Sequence, residues 1–400
     1  MTMLRDALAV ARDEARHLLH TRPMLYLMLF GVPLLYTLLI GAVYSEQVVS
    51  HIPLAIYDGD QTRVSRQYAQ LYHDSMKFDV REYVATEDEL AEEVNSGHVL
   101  AGIAIPPLFT HDILTGQQAQ IGVFVNATNN IFSNNILSNQ SQINRTFRVA
   151  VLQQVMQKLG TMEPSVEAAA YPVELRLRLL GNPTISFSYF MLIGILLNGV
   201  QISLMLTVPP GLVREATRPR YARRVSALAI VLGKLLPSWA ASLASGLLSI
   251  AVMHLVFGVP VRGSTLTIAA LLAAFCFFVI GALEAIASCC PDDTFSLQAP
   301  LVYIMPGILV CGLSWPLFAM TTGADFYSSL LPLRYTGPAM RDLLLLGSTP
   351  ALAQDLAHSL LGGGIGLLLA SLILHLRRVR YFKRHGKELT PDDPCTTISA

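Results

Sequence analysis

Six predominantly apolar stretches of this 400-residue chain run for 21 residues or more without an Asp, Glu, Lys or Arg. They are Met24–Tyr44 (21 residues), Gly181–Val213 (33), Leu235–Val261 (27), Gly263–Leu283 (21), Thr294–Ala324 (31) and Leu356–Leu376 (21). A helix rises 1.5 Å per residue, so about 20 apolar residues cross the roughly 30 Å of a bilayer's hydrocarbon. One such run fits inside a large soluble protein. Six of them, in a chain with 14% charged residues against roughly 25% in ordinary globular domains, predict a polytopic α-helical membrane protein with six transmembrane helices.

The cationic residues orient the spans, because Lys and Arg concentrate in cytoplasmic connections. Arg5, Arg12, Arg16 and Arg22 precede the first span. Arg214, Arg218, Arg220, Arg223 and Arg224 lie between spans two and three, and Arg377, Arg378, Arg380, Lys383, Arg384 and Lys387 follow span six. The opposite side holds Arg262, Arg334 and Arg341. This asymmetry predicts a multi-pass protein with both termini in the cytoplasm. Span one, with its long basic leader, Pro33 and no clear cleavage site, reads as a permanent signal anchor.

The organisation that follows is a cytoplasmic amphipathic segment (1–22), transmembrane helix one (23–45), an extracytoplasmic domain (46–183), spans two to six (184–376) and a basic cytoplasmic tail (377–400). Residues 209–233, between spans two and three, are the cytoplasmic connection. The domain inserted between helices one and two holds 138 residues with 9 basic and 15 acidic groups, an ordinary soluble composition. Ile52–Tyr57, Phe78–Val84, Val99–Ile105 and Ala119–Val125 read as strands, by β-branched content and flanking turn residues. Thr62–His73 and Glu87–Asn95 read as helices between them, with Thr86 and Glu89 forming a capping box. Asn129–Gly160 reads as one long amphipathic helix, making the insert α+β. It contains no cysteine, so no disulfide framework holds it.

The chain carries no phosphate-cradling G-x-x-x-x-G-K-[ST], no H-E-x-x-H and no C-x-x-C. No catalytic, metal or cofactor site is predicted, and the zero net charge gives no grip on nucleic acid. Any uphill transport draws its energy from another chain or an ion gradient. Ionisable and amide groups at membrane depth are costly and so informative. Lys234 opens span three and Glu284 sits near the same end of span four, which allows an intramembrane ion pair; a lysine that merely snorkels to the interface is the other reading. Asn198 and Gln201 share one face of span two and either line a pathway or pack helices together.

The order of these parts, and several short motifs, resemble the integral-membrane permeases of type-2 ABC exporters, in the subgroup with a large periplasmic domain after the first span. The residues that carry the resemblance are Ile52-Pro53-Leu54-Ala55-Ile56-Tyr57-Asp58 with Asp60, Asn182-Pro183, Val213-Arg214-Glu215, and Leu232-Gly233-Lys234-Leu235-Leu236-Pro237. A further run holds Pro306, Gly312, Pro316 and Met320, then Leu331-Pro332-Leu333-Arg334-Tyr335, Arg341 and Gly347. The sequence departs from that pattern at Ala216-Thr217-Arg218-Pro219-Arg220-Tyr221, where the family often has a glycine-threonine pair and a later proline.

The resemblance implies a permease dimer, homomeric or heteromeric, in a bacterial inner membrane, clasped from the cytoplasm by ABC ATPase subunits that hold ATP and Mg. Arg214, Glu215, Arg218, Arg220, Arg223, Arg224 and Lys234 would form the ATPase-coupling segment; the arginines' other reading is topological, with contact to anionic membrane lipid. Pro306 and Gly312 would bend span five, and Pro316, Pro332, Arg334, Tyr335 and Arg341 would form an outer-face motif. A periplasmic adaptor and an outer-membrane channel complete the expected export route. A non-transporting receptor or scaffold sensing a ligand through the external domain, and a gradient-driven carrier, are the alternatives.

Overall fold

The computed structural model describes residues 2–21, 23–44, 50–115, 117–128, 130–158, 181–182, 186–221 and 223–385. The chain divides into two compact units, Met1–Gln47 with Leu179–Ala400, and Val48–Arg178.

The chain starts with helix α1 (Thr2–Arg16), a π-helical turn (His17–Thr21) and α2 (Pro23–Val43). In α1, Ala7, Val10, Glu14 and, in the turn, Leu18 form one buried row, the spacing of a helix that lies along a surface.

The second unit contains β1 (Ile52–Asp58), α3 (Arg63–His73), β2 (Phe78–Val84), α4 (Glu87–Ser96), β3 (Ala101–Ile105), α5 (Phe109–Thr115), β4 (Gly122–Val125) and α6 (Asn130–Lys158). Its sheet has the order β2-β1-β3-β4, with β1 parallel to β2 and β3, and β4 antiparallel to β3. Alternation along β1 decides which helix covers which face. Ile52, Leu54 and Ile56 meet Tyr68, Ala69 and Tyr72 of α3, while Ala55 meets Leu90 and Val94 of α4. Gly102 brings α4 close, since a Cβ there would lie 2.8 Å from the Leu90 side chain. Thr62 caps α3 reciprocally with Ser65. Thr86 accepts from the Glu89 amide at 3.1 Å, but the Glu89 carboxylate reaches back to the Ala85 amide at 2.7 Å. The expected box is thus shifted by one residue on its return arm. Tyr68, Tyr72, Gln140 and Asn144 join α3 to α6 through mutually bonded polar groups, and burial pushes both tyrosine hydroxyls above their ordinary pKa.

The first unit resumes with α7 (Phe187–Thr207), α8 (Pro209–Thr217), α9 (Ala227–Phe257), α10 (Thr265–Cys289), α11 (Asp293–Ile304), α12 (Gly307–Val310), α13 (Thr322–Ser329), α14 (Pro332–Leu345) and α15 (Leu352–His385). Six helical stretches among the described residues have the length and composition to cross a membrane: Pro23–Val43, Phe187–Thr217, Ala227–Phe257, Thr265–Cys289, Asp293–Val310 and Leu352–Arg384. The protein is therefore mostly helical and polytopic, with a small sheet at residues 52–125.

Close helix pairs use small residues. A Cβ on Gly199 would sit 3.3 Å from Pro33 of α2, and one on Gly281 of α10 would sit 2.4 Å from the Gly363 carbonyl of α15. The charge-free run 294–324 does not form one helix. α11 stops at Ile304, Pro306 opens the single turn α12, and Gly312 takes a left-handed conformation (φ 84°) that reverses the chain. A 3-10 turn after Pro316, then α13 and α14, follow as short pieces.

Candidate coupling site

Val208 ends α7 and starts α8, and Pro209 and Pro210 occupy the first turn of the new helix. A proline there gives up only amides that lack helical partners, yet it cannot continue the previous ladder. α8 therefore restarts instead of extending α7. Its Leu212, Val213, Glu215 and Ala216 are buried. It stops at Arg218, whose backbone is extended ahead of Pro219 (φ −137°, ψ 82°).

The turn from 218 to 225 is bracketed by a buried anion and a buried cation. Glu215 Oε2 accepts the Arg220 amide at 2.9 Å, and Oε1 accepts the Tyr221 amide at 3.5 Å. From α15, Arg378 donates to the Tyr221 carbonyl (2.8 Å) and the Val225 carbonyl (2.9 Å), and its Nε lies 3.6 Å from Glu215. The buried Tyr221 side chain reaches α1, donating its hydroxyl to Asp13 at 3.0 Å, and Arg220 pairs with the same carboxylate at 3.4 Å. Burial first, then the neighbouring Asp13 charge, push the Tyr221 hydroxyl up.

Two more ion pairs fix the surroundings. Arg214 Nε meets Asp293 at 2.8 Å, tying α8 to the start of α11, where Asp292 is the N-cap. Lys234 Nζ meets Glu14 at 2.6 Å, tying α9 to α1, with both side chains about a tenth exposed (11% and 10%). Burial alone would raise Glu14, but the Lys234 charge and hydrogen bond outweigh it and hold the carboxyl below its ordinary value. Between these pairs lies a cavity of about 920 Å³, lined by Glu14, His17, Arg214, Glu215, Lys234 and Asp293 among others.

Arg214, Glu215, Arg218, Arg220 and Lys234 thus gather around one cavity, with Arg218 and Arg220 also exposed, whereas Arg223 and Arg224 are exposed on the turn and do not line it. The expected Lys234–Glu284 pair does not form. Lys234 reaches Glu14, because α1 lies against the start of α9: a Cβ on Gly233 would be 2.5 Å from Val10. Glu284 is wholly buried and neither carboxylate oxygen has a hydrogen-bond partner. Gln201 is buried beside the break in span five, its amide nitrogen 3.8 Å from a Cβ built on Gly307, while Asn198 is half-buried. The Gln201 carbonyl oxygen has no partner.

In the remaining motif, Pro332 opens α14. Arg334 binds Asp325 at 2.5 Å, Tyr335 stacks on His358 at 4.9 Å, and Arg341 lies 5.3 Å above the Phe190 ring. Pro316 precedes the 3-10 turn and lies apart from these contacts.

Asp13, Glu14, Tyr221, Asp293 and Arg378 complete the site and were not singled out from the sequence. Glu14 had a readable signal, a carboxylate within the apolar row Ala7, Val10 and Leu18. Arg378 had none, since it stands among five other cations that serve topology equally well.

Six apolar helices and a polar site built from helix termini and ion pairs define a polytopic membrane protein. The chain matches the family described as ABC-2 family transporter protein over residues 23–375, and it belongs to that family. It is 25% identical over 277 residues to the inner membrane transport permease YhhJ of Escherichia coli (strain K12), covering 66% of this chain and 68% of that one. The YhhJ permease of Shigella flexneri matches to the same extent. It is thus a multi-pass inner-membrane protein of the permease kind.

Proposed function

We propose that this chain is the permease subunit of an ATP-driven exporter, with ATP and Mg held by a separate ATPase subunit. Both termini and the 209–226 segment face the cytoplasm, and the unit containing the sheet lies on the periplasmic side, available to an adaptor that leads to an outer-membrane channel. The observation that carries this reading is the turn 218–225. Its exposed Arg218, Arg223 and Arg224 stand on a base fixed by Glu215 and Arg378, so a force applied to the turn reaches α8, α15 and α1 together. Membership of the family supports pairing with a second permease subunit within the lipid.

The test is co-purification with the ATPase followed by charge reversal, R218E/R223E/R224E. Removing surface charges that steer a partner is expected to cut permease-dependent ATPase activity by about fivefold or more without changing the melting temperature. No ATPase bound to the wild-type chain, and no effect of the reversal, overturns the proposal.

A further inference from the structure

Helix α1 carries a second apolar row besides the one that docks it. Ala7, Val10 and Glu14 face the protein, while Leu4, Leu8, Ala11 and Ala15 recur at helical spacing on another face, with Leu4 70% and Leu8 56% exposed. Arg5, Arg12 and Arg16 stand one residue further on, about 100° round the helix, and all three are exposed. Val10 packs on Gly233, just before the charge-free part of span three, and α2 begins at Pro23, so α1 lies at the membrane boundary. An exposed apolar row edged by arginines is the face by which a helix lies in a bilayer surface beside anionic head groups.

The arginine row ends at a pocket. A hollow of about 330 Å³ between α1 and the 218–225 turn is lined by Asp13, Arg16, His17, His20 and Arg220. Two guanidiniums and two imidazoles face a single carboxylate there, and Tyr221 and Arg220 already engage that carboxylate. Arg16 and His20 have no hydrogen bond or ion pair among the described residues. A guanidinium offers a fork of donors that matches phosphate oxygens, and an imidazole has an N–H to give in either charge state. The volume is at the small end of ligand sites, which begin at about 300 Å³, and suits a head group.

We infer that this pocket takes the phosphate of an anionic phospholipid, whose acyl chains leave over the apolar row of α1. A phosphate held by Arg16, His20 and Arg220 links α1 to the 218–225 turn, so the lipid steadies both. The site belongs to this chain alone and needs neither an ATPase nor a particular orientation across the membrane.

The full-length chain in nanodiscs tests it, with phosphatidylcholine alone compared with phosphatidylcholine plus phosphatidylglycerol. Phosphatidylglycerol should slow hydrogen exchange severalfold in residues 2–16 and 218–225 and raise the melting temperature. In detergent titrated with phosphatidylglycerol, Arg16→Ala should weaken the response about tenfold, the loss of one hydrogen bond between charged groups, and His20→Ala by a few fold. Arg12→Ala removes the same charge from the same row but lies outside the pocket, and should stay near wild type. All three side chains are exposed, so melting temperatures in phosphatidylcholine alone should not change. Equal weakening by Arg12→Ala and Arg16→Ala would mean plain attraction of a basic helix to an anionic surface. Inorganic phosphate giving the same protection in phosphatidylcholine would mean a soluble anion. Either result overturns the site, as does no response to phosphatidylglycerol.

Discussion

At the scale of single residues, the candidate site depends on groups that cannot be exchanged for look-alikes. Arg378 supplies one guanidinium to two carbonyls and to Glu215, all within a buried setting. A lysine is a point charge and cannot reproduce that fork. Arg378→Ala leaves Glu215 buried with its cation gone, and breaking a buried pair in this way costs roughly 3–5 kcal/mol. Thermal unfolding of the detergent-solubilised chain should therefore rank wild type above Arg378→Lys above Arg378→Ala. The double variant Glu215→Gln/Arg378→Ala should recover part of the loss, because no unpaired charge is left.

Glu14 gives a second residue-scale prediction, in which the sign follows from its lowered folded pKa. Such a carboxylate contributes stability that is complete above its unfolded value, near 4.5, and is lost as pH falls through its folded value. Exchange protection of α1 should hold from pH 7 to about pH 5 and decline only below about pH 4. Glu14→Gln should abolish that acid dependence; a protection curve identical to wild type would contradict the assignment.

At the scale of elements, the tightest helix pair is set by residues with no side chain. α10 and α15 meet at Gly281, Gly363 and Gly366; a Cβ on Gly366 would lie 2.5 Å from the Gly281 carbonyl carbon. Backbone cannot yield as a flexible side chain does, and overpacking of this kind costs roughly 1–3 kcal/mol or more. Gly281→Leu and Gly363→Leu should lose monodisperse protein in size-exclusion chromatography. Gly364, one residue along, has open space where its Cβ would be. Gly364→Ala should be neutral or raise the melting temperature, because alanine favours the helix by up to about 1 kcal/mol over glycine. The same pairing lets Arg377 reach the Ser288 and Cys290 carbonyls (2.8 and 2.6 Å) and cap α10.

The spans were legible in the sequence because a bilayer demands apolar length, and length survives whatever the partners are. The helix ends at Thr207 and Ile304 fall inside charge-free runs, beside prolines at 209, 210 and 306. The candidate site was half legible. Arg214, Glu215 and Lys234 stand in local motifs, but their partners Asp293, Arg378 and Glu14 lie 79, 163 and 220 positions away, a pairing that only packing can establish. Lys234 took the carboxylate of a helix outside the spans over the one at its own membrane depth, a choice decided by the docking of α1 on Gly233.

At the scale of the whole molecule, neutrality is a cancellation between regions. Residues 46–183 carry 9 basic and 15 acidic groups, and the rest of the chain carries the reverse excess. Charge separated in this manner across six apolar helices orients a protein, because cationic connections are retained in the cytoplasm. The orientation can be read by thiol labelling, with variants that keep one cysteine each. Cys289, exposed at the end of α10, should react with a membrane-impermeant maleimide only in inside-out vesicles. Met76→Cys, at a position 79% exposed in the unit that contains the sheet, should react in intact spheroplasts. The two sites are joined by one chain that crosses the membrane a fixed number of times, so they test the same prediction independently. Labelling of both from one side would mean that the count of crossings between residues 76 and 289 is even, which would require one of the six apolar helices to lie within a single leaflet. The shortest of them, Asp293–Val310, falls after Cys289, so one of the three crossings between Phe187 and Cys289 would have to be reassigned and not the broken helix.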